Sequence, residues 1–195
     1  MTTTAIPDWD GRGVLPPCLN SPIEADGISP FPVSLLDLVQ RFGTSQERLD
    51  ILEGLLRYRE ALHGIGLVSG FQWINGSFME HVELLELRPP NDIDVVSFFH
   101  LPDGKTQAEI LGGHRHLFSR NETKKAFKVD AFPVVLTDMP QEYLIERSVY
   151  WYGLWGHRRD RSWKGFLQVD LASDEDRDAS NLLLQLQDQL SGGGS

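Results

Sequence analysis

A chain of 195 residues is long enough for one domain, or a core with a small appendage, built around a sizeable hydrophobic interior. Its 41% hydrophobic and 24% charged residues match ordinary globular domains. The formal charge of −10, from 28 acidic against 18 basic residues, argues against a protein that coats nucleic acid electrostatically, because phosphate contacts need clustered Lys and Arg. A site for a single nucleotide needs only local positive charge or a metal, and stays open. No run of the sequence approaches the roughly 18 apolar residues of a membrane-spanning helix. Residues 1–10 lack the basic and apolar regions of a signal peptide. Cys18 is the sole cysteine, which leaves no disulfide framework and no thiolate zinc site. A cytoplasmic location is the expectation.

Residues 1–33 are rich in Pro and Gly (Pro7, Gly11, Gly13, Pro16, Pro17, Pro22, Gly27, Pro30), which disfavours regular elements and predicts an extended arm wrapping the domain. Residues 34–42 predict a short helix ended by Gly43. Thr44-Ser45-Gln46-Glu47 has the form of a capping box. Behind it, Leu49, Leu52 and Leu56 together with Ile51, Leu55, Tyr58 and Leu62 form two apolar stripes of a core helix ending near Gly64. Residues 71–74 read as a short strand and Asn75-Gly76-Ser77 as the turn after it. Phe78, Val82 and Leu85 suggest a short helix over 78–87, which the loop Arg88-Pro89-Pro90-Asn91 must end. Residues 92–99 alternate and then become apolar, the pattern of a strand buried on at least one face.

Residues 106–118 suggest a helix, weakened by Gly112-Gly113. Residues 126–136 predict another strand, with Asp130 in its middle. The aromatic-rich stretch 142–155 fits either helix or strand. Residues 157–164 form a basic loop, 165–171 a strand, and 174–190 an amphipathic helix. The last five residues, 191–195, end in Gly-Gly-Gly-Ser and read as a flexible tail. Strands and helices mix without regular βαβ alternation, so the expected class is α+β, a mixed β-sheet flanked by helices, in a single domain over 34–190.

The chemistry centres on Asp92-Ile93-Asp94. In a strand, residues i and i+2 share a face, so both carboxylates project together. Like charges that close repel and raise a pKa unless something positive sits between them. Hard carboxylate oxygens suit Mg²⁺ or Mn²⁺. Alone, Asp-x-Asp is more often a solvated strand edge, but two further features strengthen it. Gly76-Ser77 closes a strand ahead of a predicted helix start, where a glycine backbone and free N–H groups favour an anion. Lys128-Val129-Asp130-Ala131-Phe132 sets a carboxylate inside an apolar strand, where it needs a cation or polar cleft. The alternative for Asp130 is an ion pair with a base such as Lys128.

A Gly-Ser turn, a short helix, an Asp-x-Asp strand and a third Asp on a later strand resemble the polymerase-β-type nucleotidyltransferase signature over residues 71–136. The gap from Ser77 to Asp92 is a few residues longer than in that pattern, and the intervening segment carries Glu80, Glu83 and Glu86. A broader resemblance runs through Gly13-Val14-Leu15-Pro16-Pro17, Arg41-Phe42-Gly43, Arg48, Leu52 and Gly54. It continues through Asn75-Gly76-Ser77-Phe78, Asn91-Asp92-Ile93-Asp94, Lys164-Gly165-Phe166 and Val169-Asp170-Leu171. Over these residues the chain is similar to an uncharacterised bacterial family, nucleotidyltransferase-like and of unknown function.

The resemblance implies catalytic and metal-binding roles for Asp92, Asp94 and Asp130, with two Mg²⁺ or Mn²⁺ ions. Ser77 and nearby N–H groups, with Gly76, would hold the phosphates of ATP or another NTP. The implied reaction moves a nucleoside monophosphate to a protein or RNA hydroxyl and releases pyrophosphate, in a toxin–antitoxin or phage-defence module. The competing expectations are a catalytically silent antitoxin or binding protein on the same fold, and a metal-dependent phosphohydrolase. No membrane and no extended DNA binding are expected.

Residues 156–165 form the densest positive segment. Arg side chains there suit phosphate, Trp163 suits base stacking, and Lys164 is the preferred nucleotide-binding residue. A solvated hairpin loop accounts for the segment equally well. Lys124 and Lys125 are weaker candidates. His114-Arg115-His116 reads as surface histidines rather than a metal pair, and Tyr150, Trp151, Tyr152 and Trp155 as packing. The leucines of the last helix (Leu182, Leu183, Leu184, Leu186, Leu190) suit the chain's own core better than a partner.

Overall fold

The computed structural model describes residues 3–21 and 27–192. Among the described residues there are five strands: β1 (Phe31–Pro32), β2 (Gly70–Asn75), β3 (Ile93–Phe99), β4 (Val129–Val135) and β5 (Leu167–Asp170). They make one sheet in the order β1-β5-β2-β3-β4. β2 runs antiparallel to β3 and β5, whereas β3 with β4 and β1 with β5 are parallel. Among the described residues there are eight α-helices: α1 (Leu35–Phe42), α2 (Gln46–Gly64), α3 (Val82–Leu85), α4 (Gln107–Gly113), α5 (Arg115–Phe118), α6 (Arg120–Phe127), α7 (Gln141–Trp155) and α8 (Asp176–Gly192). The class is α+β with a mixed sheet. No described helix is long and apolar enough to cross a membrane.

Strand alternation divides the core in two. Ile93, Val95, Phe99, Val129 and Ala131 face α1, α2, α5 and α8, and all seven apolar residues of the predicted α2 stripes are buried there. Trp73, Val96, Phe98 and Val134 point the other way and meet Trp151 and Trp155, one turn apart on α7. That one-sided contact resolves the ambiguous stretch as a helix. Leu183 of α8 is buried, and Leu182 and Leu186 pack beside it, while Leu184 and Leu190 are exposed.

Several elements differ from expectation. The cap of α2 is Ser45, whose hydroxyl accepts from the Arg48 N–H, one residue later than the predicted box. The helix predicted over 78–87 is a 3₁₀ turn at Ser77–Met79 followed by the single turn of α3. Its carbonyls are taken from outside. The guanidinium of Arg48 donates to the Phe78 and Glu80 carbonyls at 2.7 and 2.8 Å, and the Trp9 indole N–H donates to Met79 at 2.8 Å. These three successive carbonyls accept from remote side chains, and no i→i+4 ladder forms through them. The helix predicted over 106–118 breaks at His114 into α4 and α5. Residues 126 and 127, assigned to a strand, belong to α6, a helix the sequence did not suggest and whose one fully buried side chain is Thr123. Pro22 and residues 193–195 of the predicted tail lie outside the described residues, while Gly192 ends α8.

The described part of the N-terminal segment is pinned at several points. Trp9 stacks on His81 with ring centroids 4.4 Å apart, Val14 and Leu15 are buried, and Cys18 bridges to Ile28.

Gly54 sits where α2 crosses the end of α6, and a Cβ there would lie 1.8 Å from the Phe127 carbonyl oxygen. In an open helix Gly→Ala stabilises by about 0.5–1 kcal/mol. Here Gly54→Ala is expected to destabilise by about 1–3 kcal/mol, because α2 and the strand start at β4 must separate. Urea unfolding measures the sign, and a stabilised variant would contradict this packing.

Candidate active site

β2, β3 and β4 place three polar residues in one row. Asn75 pairs with Asp94, and Asp94 with Asp130, so the three side chains share the sheet face that carries the second core. Asp92 stands one residue before β3. Gly76, at φ 90°, turns the chain away from β2, and a Cβ on it would lie 3.1 Å from the Asp94 carboxyl carbon. Positive φ and close approach both require glycine here. Gly76, Asp92, Asp94 and Asp130 are therefore neighbours, as the sequence suggested. Ser77 opens the 3₁₀ turn, and its hydroxyl has no hydrogen-bond partner among the described residues.

The carboxylates are not equivalent. Asp130 is 3% exposed and takes a two-pronged bond from Arg120, 2.6 Å at each oxygen. Lys124 bridges Asp92 at 2.9 Å and Asp130 at 3.0 Å. Burial raises the Asp130 pKa, but the Arg120 fork and Lys124 outweigh it and hold the carboxyl below its ordinary range. The ion pair weighed as the alternative for Asp130 is thus present, but with Arg120 and Lys124; Lys128, the example considered, ends α6 in the left-handed conformation and pairs with Asp50 at 3.1 Å. Asp94 makes no ion pair among the described residues. Burial, then the charges of Asp92 and Asp130, push its pKa up to about 6 against the pull of Lys164 and Lys124.

Lys164 borders the opposite side. It follows from Gly165, whose N–H donates to Leu15 and where a Cβ would lie 2.3 Å from the Pro16 carbonyl oxygen. The ammonium of Lys164 is buried and donates to Glu80 at 2.8 Å, and Arg158 meets the other Glu80 oxygen at 3.2 Å. Asn75 is 2% exposed. Its amide donates to the Trp155 carbonyl, while its own oxygen lacks a partner among the described residues.

The donor set is all oxygen, which suits Mg²⁺ or Mn²⁺, and an unpaired Asp94 between two carboxylates is an environment a divalent cation relieves. Among the described residues no three His, Cys, Asp or Glu side chains already form a metal-ligand set. Arg120 and Lys124 engage Asp130 and Asp92 instead. Both bases are substantially exposed, so the carboxylates fit the metal in chemistry once these two swing aside.

Arg120, Glu80 and Asn75 were not anticipated. The available signal for the first was its i, i+4 relation to Lys124 just ahead of the Asp130 strand. His114 and His116 are partly or fully solvent-facing, with rings 6.4 Å apart, and Trp163 packs on His157 at 4.0 Å. A separate groove of about 430 Å³ between α2 and α8 lies across the sheet from the carboxylates.

The chain belongs to a family of unknown function (DUF6932), whose model matches residues 7–170. The match includes every residue of the cleft and ends with β5, ahead of α8. No curated protein and no solved structure matches the chain.

Asp94 titrates near 6 when folded against an ordinary 3.8, so between these values the folded state binds more protons. Stability attributable to Asp94 falls as pH rises through this window and is fully lost above it. Asp130 acts in the opposite sense, and only as pH drops below its ordinary range. Asp94→Asn is therefore expected to stabilise the metal-free protein by about 2–3 kcal/mol near pH 7.5, with the gain fading toward pH 4. Chemical unfolding across that range tests this; a gain independent of pH would refute the assigned titration.

Proposed function

We propose that this chain is a minimal nucleotidyltransferase that moves a nucleoside monophosphate from ATP or another NTP to an acceptor hydroxyl. The observation that carries the reading is the in-register pair Asp94 and Asp130, with Asp92 beside them and the Gly76-Ser77 turn against Asp94. The order of these residues, though not the longer gap from Ser77 to Asp92, is that of the polymerase-β-type signature that the sequence resembles.

Asp92, Asp94 and Asp130 would hold Mg²⁺ or Mn²⁺, which when bound supplies charge neutralisation at the phosphates and a lowered pKa for the acceptor hydroxyl. The chain's own contribution is positioning. Gly76 lets the backbone come close to a phosphate, and the Ser77 hydroxyl, unpartnered among the described residues, adds a donor. Lys164, sealed against Glu80, biases the local potential toward anions rather than gripping one. In the transfer, the acceptor oxygen bonds to the α-phosphorus and the bond from that phosphorus to the bridging oxygen breaks. Pyrophosphate leaves with the electron pair, and the hydroxyl proton passes to the carboxylate cluster.

A protein acceptor is favoured over RNA. The chain carries −10 overall, and α7, whose end roofs the cleft through Trp155, exposes Ile145, Val149 and Leu154. A partner within a toxin–antitoxin or phage-defence module, in the cytoplasm where NTP is available, fits this surface. The second reading, a catalytically silent antitoxin acting by contact, is favoured by the ion pairs that already satisfy Asp130 and Asp92.

Pyrophosphate release from NTP, dependent on Mg²⁺ or Mn²⁺, is expected in the wild type and should fall by about a hundredfold or more in Asp92→Ala and in Asp94→Ala. Unchanged release in either variant would sink the site assignment. Absence of metal-dependent NTP binding by calorimetry would favour the silent reading, and phosphate in place of pyrophosphate would indicate hydrolysis.

A further inference from the structure

We propose that Arg120 and Lys124 are the polyphosphate-binding residues of this cleft, bonded to Asp130 and Asp92 in the chain alone and turned to the phosphates of a nucleoside triphosphate once a divalent cation occupies the carboxylates. The inference rests on the transferase reading and adds the residues that grip its substrate.

Among the described residues, four basic side chains border the cleft, and they fall into two kinds. Lys164 and Arg158 are bound to Glu80, and the Lys164 side chain is 7% exposed, so recruiting it would strand a buried charge. Arg120 and Lys124 are 58% and 41% exposed at the side chain, on the solvent side of an Asp130 side chain that is 5% exposed. A ligand entering from solvent meets these two first.

The two bases and a metal compete for the same carboxylate oxygens. The Arg120 guanidinium and the Lys124 ammonium both bond the same oxygen of Asp130, Oδ2, at 2.6 and 3.0 Å, and Lys124 also holds Asp92. A divalent cation at those oxygens repels the ammonium and replaces its contacts. The released charges then have a polyphosphate as their nearest anion, and a guanidinium fork matches phosphate oxygens as well as it matches a carboxylate. Arg120 also lies over the Phe132 ring, 4.6 Å from its centroid, which keeps it at the cleft's edge when the carboxylate bond is broken. One turn of α6 separates the two residues, so they can contact one phosphate chain together.

Calorimetry on the full chain with Mn²⁺ tests the handover, using ATP, inorganic tripolyphosphate and AMP as probes. Arg120→Ala and Lys124→Met should each weaken ATP and tripolyphosphate by about tenfold or more, since each removes a charge-assisted contact. AMP should lose little by comparison, and Mn²⁺ alone should bind as tightly as to the wild type or more tightly, a competing cation having gone. Arg120→Lys keeps a cation on Asp130, and hence the fold, but loses the fork; an intermediate weakening is expected. Variants that bind tripolyphosphate like the wild type would overturn the inference while leaving the transferase reading intact. Variants that lose Mn²⁺ affinity would make the pair a support for the carboxylates and overturn it too. A wild type that binds Mn²⁺ but neither ATP nor tripolyphosphate would remove the transferase reading itself.

Discussion

The fully buried guanidinium of Arg48 is the contact on which the cleft depends. It leaves α2 from within the core, forms a two-pronged pair with Glu83, and donates to the Phe78 and Glu80 carbonyls. Phe78 lies against its charge, with the guanidinium carbon 5.1 Å from the ring centroid. A buried cation without partners would be very costly, so the chain around it adopts the one path that surrounds it with acceptors. That path is the tight turn after β2. It sets Gly76 beside Asp94 at one end and delivers Glu80 to Lys164 at the other.

Arg59 performs the equivalent task at the far end of the sheet, roughly three helical turns along the same side of α2. It donates to Gln72 in β2, to the carbonyls of Asp170 at the end of β5 and Ala172 beyond it, and to Asp176 at the start of α8. One helix thus fixes both ends of the central strands through charge, while its leucines fix their middle through burial. The register of Asn75, Asp94 and Asp130 follows from this frame, because a slip by one residue would turn the carboxylates into the apolar core.

What the sequence made legible divides along physical lines. Elements that bury a periodic apolar face were readable: α2, β3, β4 and the close of α8 all declare themselves by spacing. The Asp92-Ile93-Asp94 strand and the buried Asp130 were readable for the complementary reason, as charges interrupting such patterns. Helix 78–87 was misread because its apolar spacing is real, yet Arg48 and Trp9, remote in sequence, take the carbonyls a helix needs. α6 escaped notice because only Thr123 is fully buried in it; its work is done by charge, which leaves no hydrophobic period. The partner of Asp130 was missed for a related reason. Lys128 is nearer in sequence, but it closes α6 in a left-handed turn, and the helix reverses the chain so that Arg120 and Lys124 reach back instead.

The two flanks of the cleft consequently differ in how much they can change. On the Glu80 side, Arg48, Lys164 and Glu80 are buried, mutually bonded and tied to the N-terminal segment through Gly165 and Leu15, so any displacement breaks several contacts together. On the α6 side, Arg120 and Lys124 hold the carboxylates with exposed side chains whose reorientation disturbs no packing beyond the Phe132 ring. The bases on the α6 side can turn to solvent, but the buried Asp130 they leave requires another positive charge in their place. The α6 side is therefore the flank held by fewer packing contacts, and the Gly76-Ser77 side the one tied into the core. Asp94, without an ion pair among the described residues, sits between the two flanks with its pKa raised by burial and by the charges of Asp92 and Asp130.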